Sequence, residues 1–413
     1  GSGGVAGAPR SRGYEIGLLL ILTFANGVVA LDRLTASFLT PYIVAELRLT
    51  NTQVGLLSSS LSLAVALSAF TLGRLADASG RRKPILIGAT IVFSLGSALG
   101  GFASGFLFLL IARFALGLAE GPMVPVSQSV LADQSDPRRR GFNMGFMQMT
   151  GAFLIGGMAG PVIATQLADA YGWRAAFLLS IVPGLMLALL LALFVREKTP
   201  PRAQRVRQPL ALGGTLAALW RVRNIRLIVT VSVLFSAWLM VQNAFLAIYF
   251  TEVKGLSPTT AGWVLSMGGI AGVVGGILFP ALSDRLGRKT VLAGGCFAGV
   301  FAPVALILLP ASPVLLGAAI LFGWLVLGIA PLYCGVVPSE SVPPALMTSA
   351  IGLSMGMAEL LGGVVAPFFA GRLADFFGLE AILWLSAAFA IGAGLVSLML
   401  TETAPARTGA ATP

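Results

Sequence analysis

Long apolar stretches, separated by short polar or charged segments, run along almost the whole chain. Most of them are about 20 residues or longer, which is the length that an α-helix needs to cross a bilayer. They do not alternate between apolar and polar residues as the strands of a membrane barrel do. The pattern therefore predicts an all-α integral membrane protein with twelve transmembrane helices, near 14–42, 53–76, 84–104, 106–132, 142–168, 173–195, 226–251, 258–283, 289–310, 312–337, 345–372 and 379–401.

One long polar segment divides the chain into two parts of similar length. Residues 196–225 contain seven arginines and lysines together with Pro200-Pro201, so we interpret this segment as a linker. The prediction is then a tag and disordered cytoplasmic N-terminus (1–13), an N-terminal six-helix bundle (14–195), the cytoplasmic linker (196–225), a C-terminal six-helix bundle (226–401) and a cytoplasmic tail (402–413).

A short phrase of the form Leu-(Ala/Ser)-Asp-x-x-Gly occurs four times. The aspartates of successive copies are 92, 115 and 91 residues apart, which indicates two similar halves, each made of two similar quarters. Nested repeats of this kind in an apolar chain are typical of secondary transporters. We therefore expect each bundle to consist of two inverted three-helix repeats. The four copies begin at Leu75, Leu167, Leu282 and Leu373.

The positive charges are distributed unevenly between the two sets of loops. The chain has 27 lysines and arginines and a net charge of +11; 21 of these residues fall on one set of loops and termini and 4 on the other. The positive-inside rule then places both termini and the linker in the cytoplasm, in a bacterial inner membrane. Contact with anionic lipids explains the basic clusters, and we expect no nucleic-acid partner.

The composition excludes several kinds of chemistry. The chain has no histidine, and we find no nucleophile elbow, metal-ligand cluster or nucleotide-binding loop. We expect no enzyme activity, no metal and no cofactor. Proton chemistry must use carboxylates, and protons are the expected coupling ion. The expected partners are a small-molecule substrate and the lipid bilayer, with the monomer as the functional unit.

Several motifs resemble those of the major facilitator superfamily. The loop from Gly73 to Lys83, Gly-Arg-Leu-Ala-Asp-Ala-Ser-Gly-Arg-Arg-Lys, resembles the family's signature loop, and the segment from Asp284 to Lys289 resembles its repeat in the second half. Arg113-x-x-x-Gly117 resembles a second family motif. The resemblance implies the major facilitator fold, with two pseudo-symmetric six-helix bundles. It also implies a gating role, against the alternative of a simple topology signal, for Gly73, Asp77, Gly80, Arg81, Arg82, Asp284, Gly287 and Arg288.

Two further motifs resemble narrower groups within that superfamily. Leu31-Asp32-Arg33 and the segment from Arg113 to Glu120-Gly121 are similar both to the proton-coupled organic-anion symporters and to the bacterial spinster-like transporters. These resemblances imply that Asp32 and Glu120 take part in proton coupling. They imply that Arg33 and Arg113 take part in substrate or charge pairing.

Charged residues inside the spans are expected to face a cavity, because each costs roughly 2.5–3.5 kcal/mol at the bilayer centre. Arg113 and Glu120 are seven residues apart, so they share a helix face but lie about 10 Å apart along the axis. They need partners from another helix, and we expect Asp32 and Arg33 to supply them. The prediction is a four-charge cluster between spans 1 and 4 that serves as a proton switch. The alternative is a static ion network.

The C-terminal half offers one further intramembrane charge, Glu359. We interpret it as a substrate contact or second proton site, or alternatively as a neutral glutamate bonded to a neighbouring helix. Other polar and aromatic groups of this half fit an apolar substrate pocket with a few orienting hydrogen bonds, although each could equally serve packing. They are Trp238, Gln242, Asn243 and Tyr333.

Two transport functions remain open at this stage. One is proton-coupled movement of a small organic anion by alternating access, favoured by the two intramembrane arginines. The other is a spinster-like or drug-like proton-coupled exporter of an amphipathic lipid or cation, favoured by the weakly charged C-terminal half and Glu359.

Overall fold

Twelve helices that are long and apolar enough to cross a membrane dominate the computed structural model, which confirms the predicted fold class. The structure describes residues 12–79, 81–136, 140–196, 212–343 and 346–404, and in those ranges it contains no strand. In chain order the helices are α1 Arg12–Leu47, α2 Asn51–Ser79, α3 Arg82–Phe102, α4 Phe106–Leu131, α5 Asn143–Tyr171, α6 Trp173–Phe194, α7 Arg223–Val253, α8 Pro258–Leu286, α9 Arg288–Leu308, α10 Pro313–Glu340, α11 Ser349–Phe377 and α12 Glu380–Leu398.

Parts of the predicted termini and linker lie outside the described residues. These parts are residues 1–11, 197–211 and 405–413. The described part of the linker contains a short helix, Leu212–Arg221, before α7 begins.

The two halves share an unusual feature at matching positions. A π-helical segment, Gly151–Ala159, interrupts α5, and another, Ala358–Val365, interrupts α11. Each is followed after one residue by a proline, Pro161 and Pro367, which lie 206 residues apart. Proline cannot donate the backbone hydrogen bond of a regular helix, and wide π turns frequently occur at functional sites. The matching interruptions support the pseudo-symmetry inferred from the repeats.

The bundle has two ends, which we name by the chain. The terminal end is where α1 begins and α12 ends, at Arg12 and Leu398. The distal end is the opposite one, where α1 ends at Leu47 and α2 begins at Asn51.

Glycines allow α5 of the first half to pack closely on α8 of the second. A methyl group added to Gly262 would lie 2.8 Å from Pro161 O, and one added to Gly269 would lie 2.3 Å from Met158 N. Gly145 of α5, nearer the terminal end, has nothing within 4 Å of that position. The contact between these helices is therefore tight at Gly262 and Gly269.

The helices α2 and α11 form a matching contact. A methyl group on Gly55 would lie 2.2 Å from Pro367 O, and one on Gly371 would lie 2.4 Å from Asn51 O. Gly352, near the start of α11 at the terminal end, again has nothing within 4 Å. Both interfaces show that glycines let the two halves approach closely at the distal end.

A charged cap reinforces the distal contact. Asp375 of α11, from the fourth copy of the repeated phrase, accepts hydrogen bonds from Asn51 N at 2.9 Å and Thr52 N at 3.0 Å. It also accepts one from the Thr52 hydroxyl. These amides are the unpaired donors at the first turn of α2, where the helix dipole favours a negative charge. One half thus caps a helix of the other half.

The symmetry-related position behaves differently. Asp169, in the second copy of the phrase, is exposed, and the first turn of α8 is capped by its own Ser257, whose hydroxyl accepts from Thr260 N at 3.2 Å. Only one of the two pseudo-equivalent aspartates therefore caps across the halves in this conformation.

We predict that Asp375→Asn weakens the distal contact. A charge at a helix N-terminus contributes about 0.3–1 kcal/mol, so the population with an open distal end should rise about two- to fivefold. The measurement is electron–electron distance spectroscopy between spin labels at the exposed Leu107 and Val314, at the distal ends of α4 and α10.

Asp169→Asn is the matched control and should leave the distance distribution unchanged. Equal shifts in the two variants, or no shift with Asp375→Asn, would show that the cap does not hold this conformation.

Candidate functional site

A central cavity of about 310 Å³ lies between the two halves. Helices α1, α2, α4, α5 and α7 line it, so both halves contribute. Its polar lining is concentrated on the N-terminal half and consists of Asn26, Arg33, Ser37, Thr40, Ser58, Ser62, Arg113 and Gln148, with Asn243 from the C-terminal half.

Arg33 connects the halves at the centre of the membrane segment. Its guanidinium forms an ion pair with Glu359 of α11 and donates a hydrogen bond to Ser62 Oγ of α2 at 3.2 Å. The side chains of Arg33 and Glu359 are 24% and 21% exposed, and Arg33 lines the cavity. The sequence interpretation left the role of Glu359 open, and the structure assigns it the partner of Arg33.

Arg113 also faces the cavity but has different partners from those that we expected. Its guanidinium donates to the backbone carbonyl oxygens of Asp32 at 3.1 Å and Arg33 at 2.5 Å. We expected a carboxylate here. The helical carbonyls can accept because each has a second lone pair beyond its helical hydrogen bond. Arg113 Nε has no hydrogen-bond partner among the described residues.

The two carboxylates of the predicted cluster are buried beside the arginines. Asp32 Oδ1 accepts a hydrogen bond from Ser97 Oγ at 3.2 Å, and Ser97 Oγ lies 2.8 Å from Ser180 Oγ. In the described part of the chain, Asp32 Oδ2 and both carboxylate oxygens of Glu120 have no hydrogen-bond partner. A buried, unpartnered oxygen is costly to keep ionised, and a bound proton would remove that cost.

The four predicted charges are therefore close together, without the direct ion pairs that we expected between α1 and α4. Glu120 interacts electrostatically with Arg33 and Arg113, and Asp32 with Arg113. The ion pair of this region is instead the one between Arg33 and Glu359, across the two halves.

Three of the four uncharged candidates in the C-terminal half are buried inside that half and do not line the central cavity. Trp238 Nε1 donates to Gly299 O at 2.9 Å, and Gln242 Oε1 accepts from Trp324 Nε1 at 3.1 Å; both candidates are fully buried. Tyr333 is also buried in the core of this half. The predicted substrate contacts at these residues are therefore not supported by their placement. Asn243 is the one of the four that lines the cavity.

The serines of α2 were missed by the sequence interpretation. Ser62 binds Arg33, and Ser59 Oγ donates to Val364 O of α11 at 2.5 Å. A signal was present, because Ser58, Ser59, Ser60 and Ser62 form a cluster of hydroxyls inside an apolar span.

Those predicted gating residues that the structure describes lie away from the cavity, at the terminal end. In the second half, Arg288 pairs with Asp284 at 2.5 Å and with Glu340 at 3.1 Å, and Gly287 makes the turn with φ +102°. Arg82 pairs with Asp133. Arg81 is described, and the backbone of Gly73 and Asp77 belongs to α2. The side chain of Asp77 and the whole of Gly80 lie outside the described residues. The gating role of all eight residues stays a prediction.

Comparison with known proteins places this geometry in a family context. The model of the Major Facilitator Superfamily matches residues 22–367. The hexuronate transporter of Bacillus subtilis (strain 168) is 29% identical over 290 residues, covering 67% of each chain. The probable sulfoacetate transporter of Cupriavidus necator is 28% identical over 294 residues, covering 68% of this chain and 67% of that one.

A solved structure shows the same fold. It is a bacterial homolog of the human lysosomal transporter Spinster, in an inward-facing and unoccupied conformation. The TM-score is 0.78 over 94% of this chain and 97% of that one, with 19% identity, so the likeness concerns the fold alone.

We predict that Arg33 and Glu359 stabilise the protein as a coupled pair. In a double-mutant cycle with Arg33→Gln and Glu359→Gln, the coupling should be about 1–3 kcal/mol, between the values for exposed and fully buried pairs. Thermal unfolding of the purified protein in detergent measures this coupling. The exposed Arg174–Glu46 pair provides a control cycle with no measurable coupling. If the two substitutions had additive effects on the stability of the protein, Arg33 and Glu359 would not be a coupled pair.

Proposed function

Because the chain belongs to the Major Facilitator Superfamily, we propose that it moves a small organic anion across a bacterial inner membrane together with protons. That it is a multi-pass membrane transporter and not an enzyme follows from the family and its named relatives. The observation that carries the finer proposal is that two cavity-facing arginines lie near two buried carboxylates, Asp32 and Glu120, three of whose four oxygens have no hydrogen-bond partner in the described residues.

The arginines support an anionic solute. Arg33 and Arg113 both line the cavity, and guanidinium groups bind carboxylates with parallel, charge-assisted hydrogen bonds. Arg33 already holds a carboxylate, that of Glu359, which illustrates the ligand chemistry of the site. The relatives described as transporters of hexuronate and sulfoacetate have organic anions as their named solutes, which agrees with this proposal.

Glu359 then acts as an internal competitor. A solute carboxylate that binds Arg33 must displace Glu359, and the released carboxylate becomes less costly if it takes up a proton or reaches water. Because the ion pair joins α1 to α11, its exchange for a solute changes what holds the halves together at the centre. A solute can shift the equilibrium between conformations only through such differences in binding energy.

Asp32 and Glu120 are the proposed proton carriers. They are buried behind the arginines, with three carboxylate oxygens lacking hydrogen-bond partners in the described residues. Proton binding at either changes the net charge beside Arg113 and Arg33, and therefore the affinity for an anion. Proton movement is coupled to anion movement if the proton affinity of these carboxylates differs between the two conformations of the transporter.

The orientation follows from the charge distribution. If the basic loops and both termini face the cytoplasm, the terminal end is the cytoplasmic one. The close glycine contacts and the Asp375 cap join the halves at the opposite, distal end, which supports an inward-facing assignment for this conformation. Rocking of α1–α6 against α7–α12 would then expose the cavity to the other side.

The second candidate function is export of an amphipathic lipid or cation, favoured by an apolar recess beside the cavity. An anionic site for a cation would have to come from Glu359, but this carboxylate is already neutralised by Arg33. We therefore favour the organic anion.

We predict that Glu120→Gln abolishes proton-driven accumulation but retains solute exchange, because the amide cannot carry a proton. The measurement is uptake of phenylacetate, glucuronate and sulfoacetate into proteoliposomes, with and without a proton gradient. Gradient-driven uptake should fall at least about tenfold, and exchange without a gradient should persist.

Glu46→Gln is the matched control, because Glu46 lies at the distal end of α1 away from the cavity, and it should retain gradient-driven uptake. Full accumulation by Glu120→Gln would contradict its assignment as a proton carrier.

A further inference from the structure

A second cavity of about 110 Å³ adjoins the central one. The two share the lining residues Ala30, Leu34, Ala152 and Asn243, so they lie side by side. We call the second cavity the apolar annex. Its remaining walls are side chains and glycines of both halves, chiefly Phe38, Phe153, Leu239, Leu265, Trp324 and Leu327.

The annex offers almost no hydrogen bonds. Asn243 is its one polar side chain apart from the indole of Trp324, whose Nε1 already donates to Gln242 Oε1 at 3.1 Å. Trp324 therefore presents an apolar ring surface. A hydroxyl group placed in this space would lose its water without gaining a partner, which is costly.

Glycines let the walls of the annex pack closely. Gly157, Gly268 and Gly269 line the annex, and side chains at these positions would meet neighbouring protein atoms. The ring of Trp324 lies against Gly268, since a methyl group there would be 2.6 Å from Trp324 Cε3. An engineered apolar cavity of about 150 Å³ binds benzene in another protein, so the annex is near the size of a single ring or a branched alkyl group.

The annex lies within reach of the charged site. On α1, Ala30 and Leu34 border the annex, and Arg33 between them lines the central cavity. Ala30 and Arg33 are three residues apart, which corresponds to a rise of about 4.5 Å along α1. One small molecule can therefore place an anionic group at Arg33 and an apolar group in the annex.

We propose that the substrate is an amphipathic carboxylate, with its carboxylate at Arg33 and Arg113 and an aromatic or branched alkyl group in the annex. The proposal rests on the anion site of the proposed function and narrows its substrate class. It excludes polyhydroxylated sugar acids as the best substrates, because the annex has few partners for their hydroxyl groups. Since α1, α5, α7, α8 and α10 all line the annex, the apolar group contacts both halves.

The test compares affinities of acetate, phenylacetate and glucuronate for the purified full-length protein by calorimetry. Burial of the phenyl ring should make phenylacetate bind at least about tenfold more tightly than acetate. Leu239→Trp fills the annex and should remove this preference while acetate affinity is unchanged. Leu395→Trp, on the exposed face of α12, is the matched control and should keep the preference.

A second variant covers the case in which Leu239→Trp fails to fold. Leu239→Ala enlarges the annex and should raise the affinity for 1-naphthylacetate relative to phenylacetate by about tenfold. An unchanged ratio would overturn the proposal.

The outcomes distinguish a failure of the annex proposal from a failure of the proposed anion site. Equal affinities for acetate and phenylacetate, or tighter binding of glucuronate, would overturn the annex proposal while leaving the organic-anion transporter intact. Failure of wild-type protein to bind any of the three acids would overturn the anion site itself.

Discussion

Charges inside a membrane must be paired, and in this transporter the Arg33–Glu359 pair meets that constraint across the two halves. An isolated charge at this depth costs several kcal/mol, so Arg33 requires an anion in every conformation. In the described conformation the anion is Glu359 of α11. The halves are thereby joined at the centre by an interaction that a bound solute can replace. The proposed transport cycle follows from this exchange.

The distal contact joins the two halves at one end of the central site. Glycine faces on α2, α5, α8 and α11 allow backbone approach that no larger residue would permit. Asp375 adds a charged cap on α2, and its pseudo-equivalent Asp169 makes no comparable cap on α8. The polar lining of the central cavity also lies mainly on the N-terminal half, whereas both halves line the apolar annex.

The fold and the site differ in how far the sequence predicts them. Helix number and the resemblance to the superfamily were confirmed, because span length and repeats are properties of consecutive residues. Asp32, Arg33, Arg113 and Glu120 were identified from the cost of intramembrane charge. The hydrogen-bond partners of these residues were not predicted. Whether Arg113 binds a carboxylate or a backbone carbonyl depends on the rotation of α4 against α1. The partner of Gln242 could not be predicted for a similar reason: Trp324 lies 82 residues away along the chain.

The most direct test of the central claim is whether a solute carboxylate competes with Glu359 for Arg33. The measurement is the affinity of phenylacetate, glucuronate and sulfoacetate for wild-type protein and for Glu359→Gln, at fixed pH and salt concentration. If the two carboxylates compete, the amide variant should bind the preferred acid about tenfold more tightly, because Arg33 no longer has a resident anion. Unchanged or weaker binding of all three acids would contradict the account.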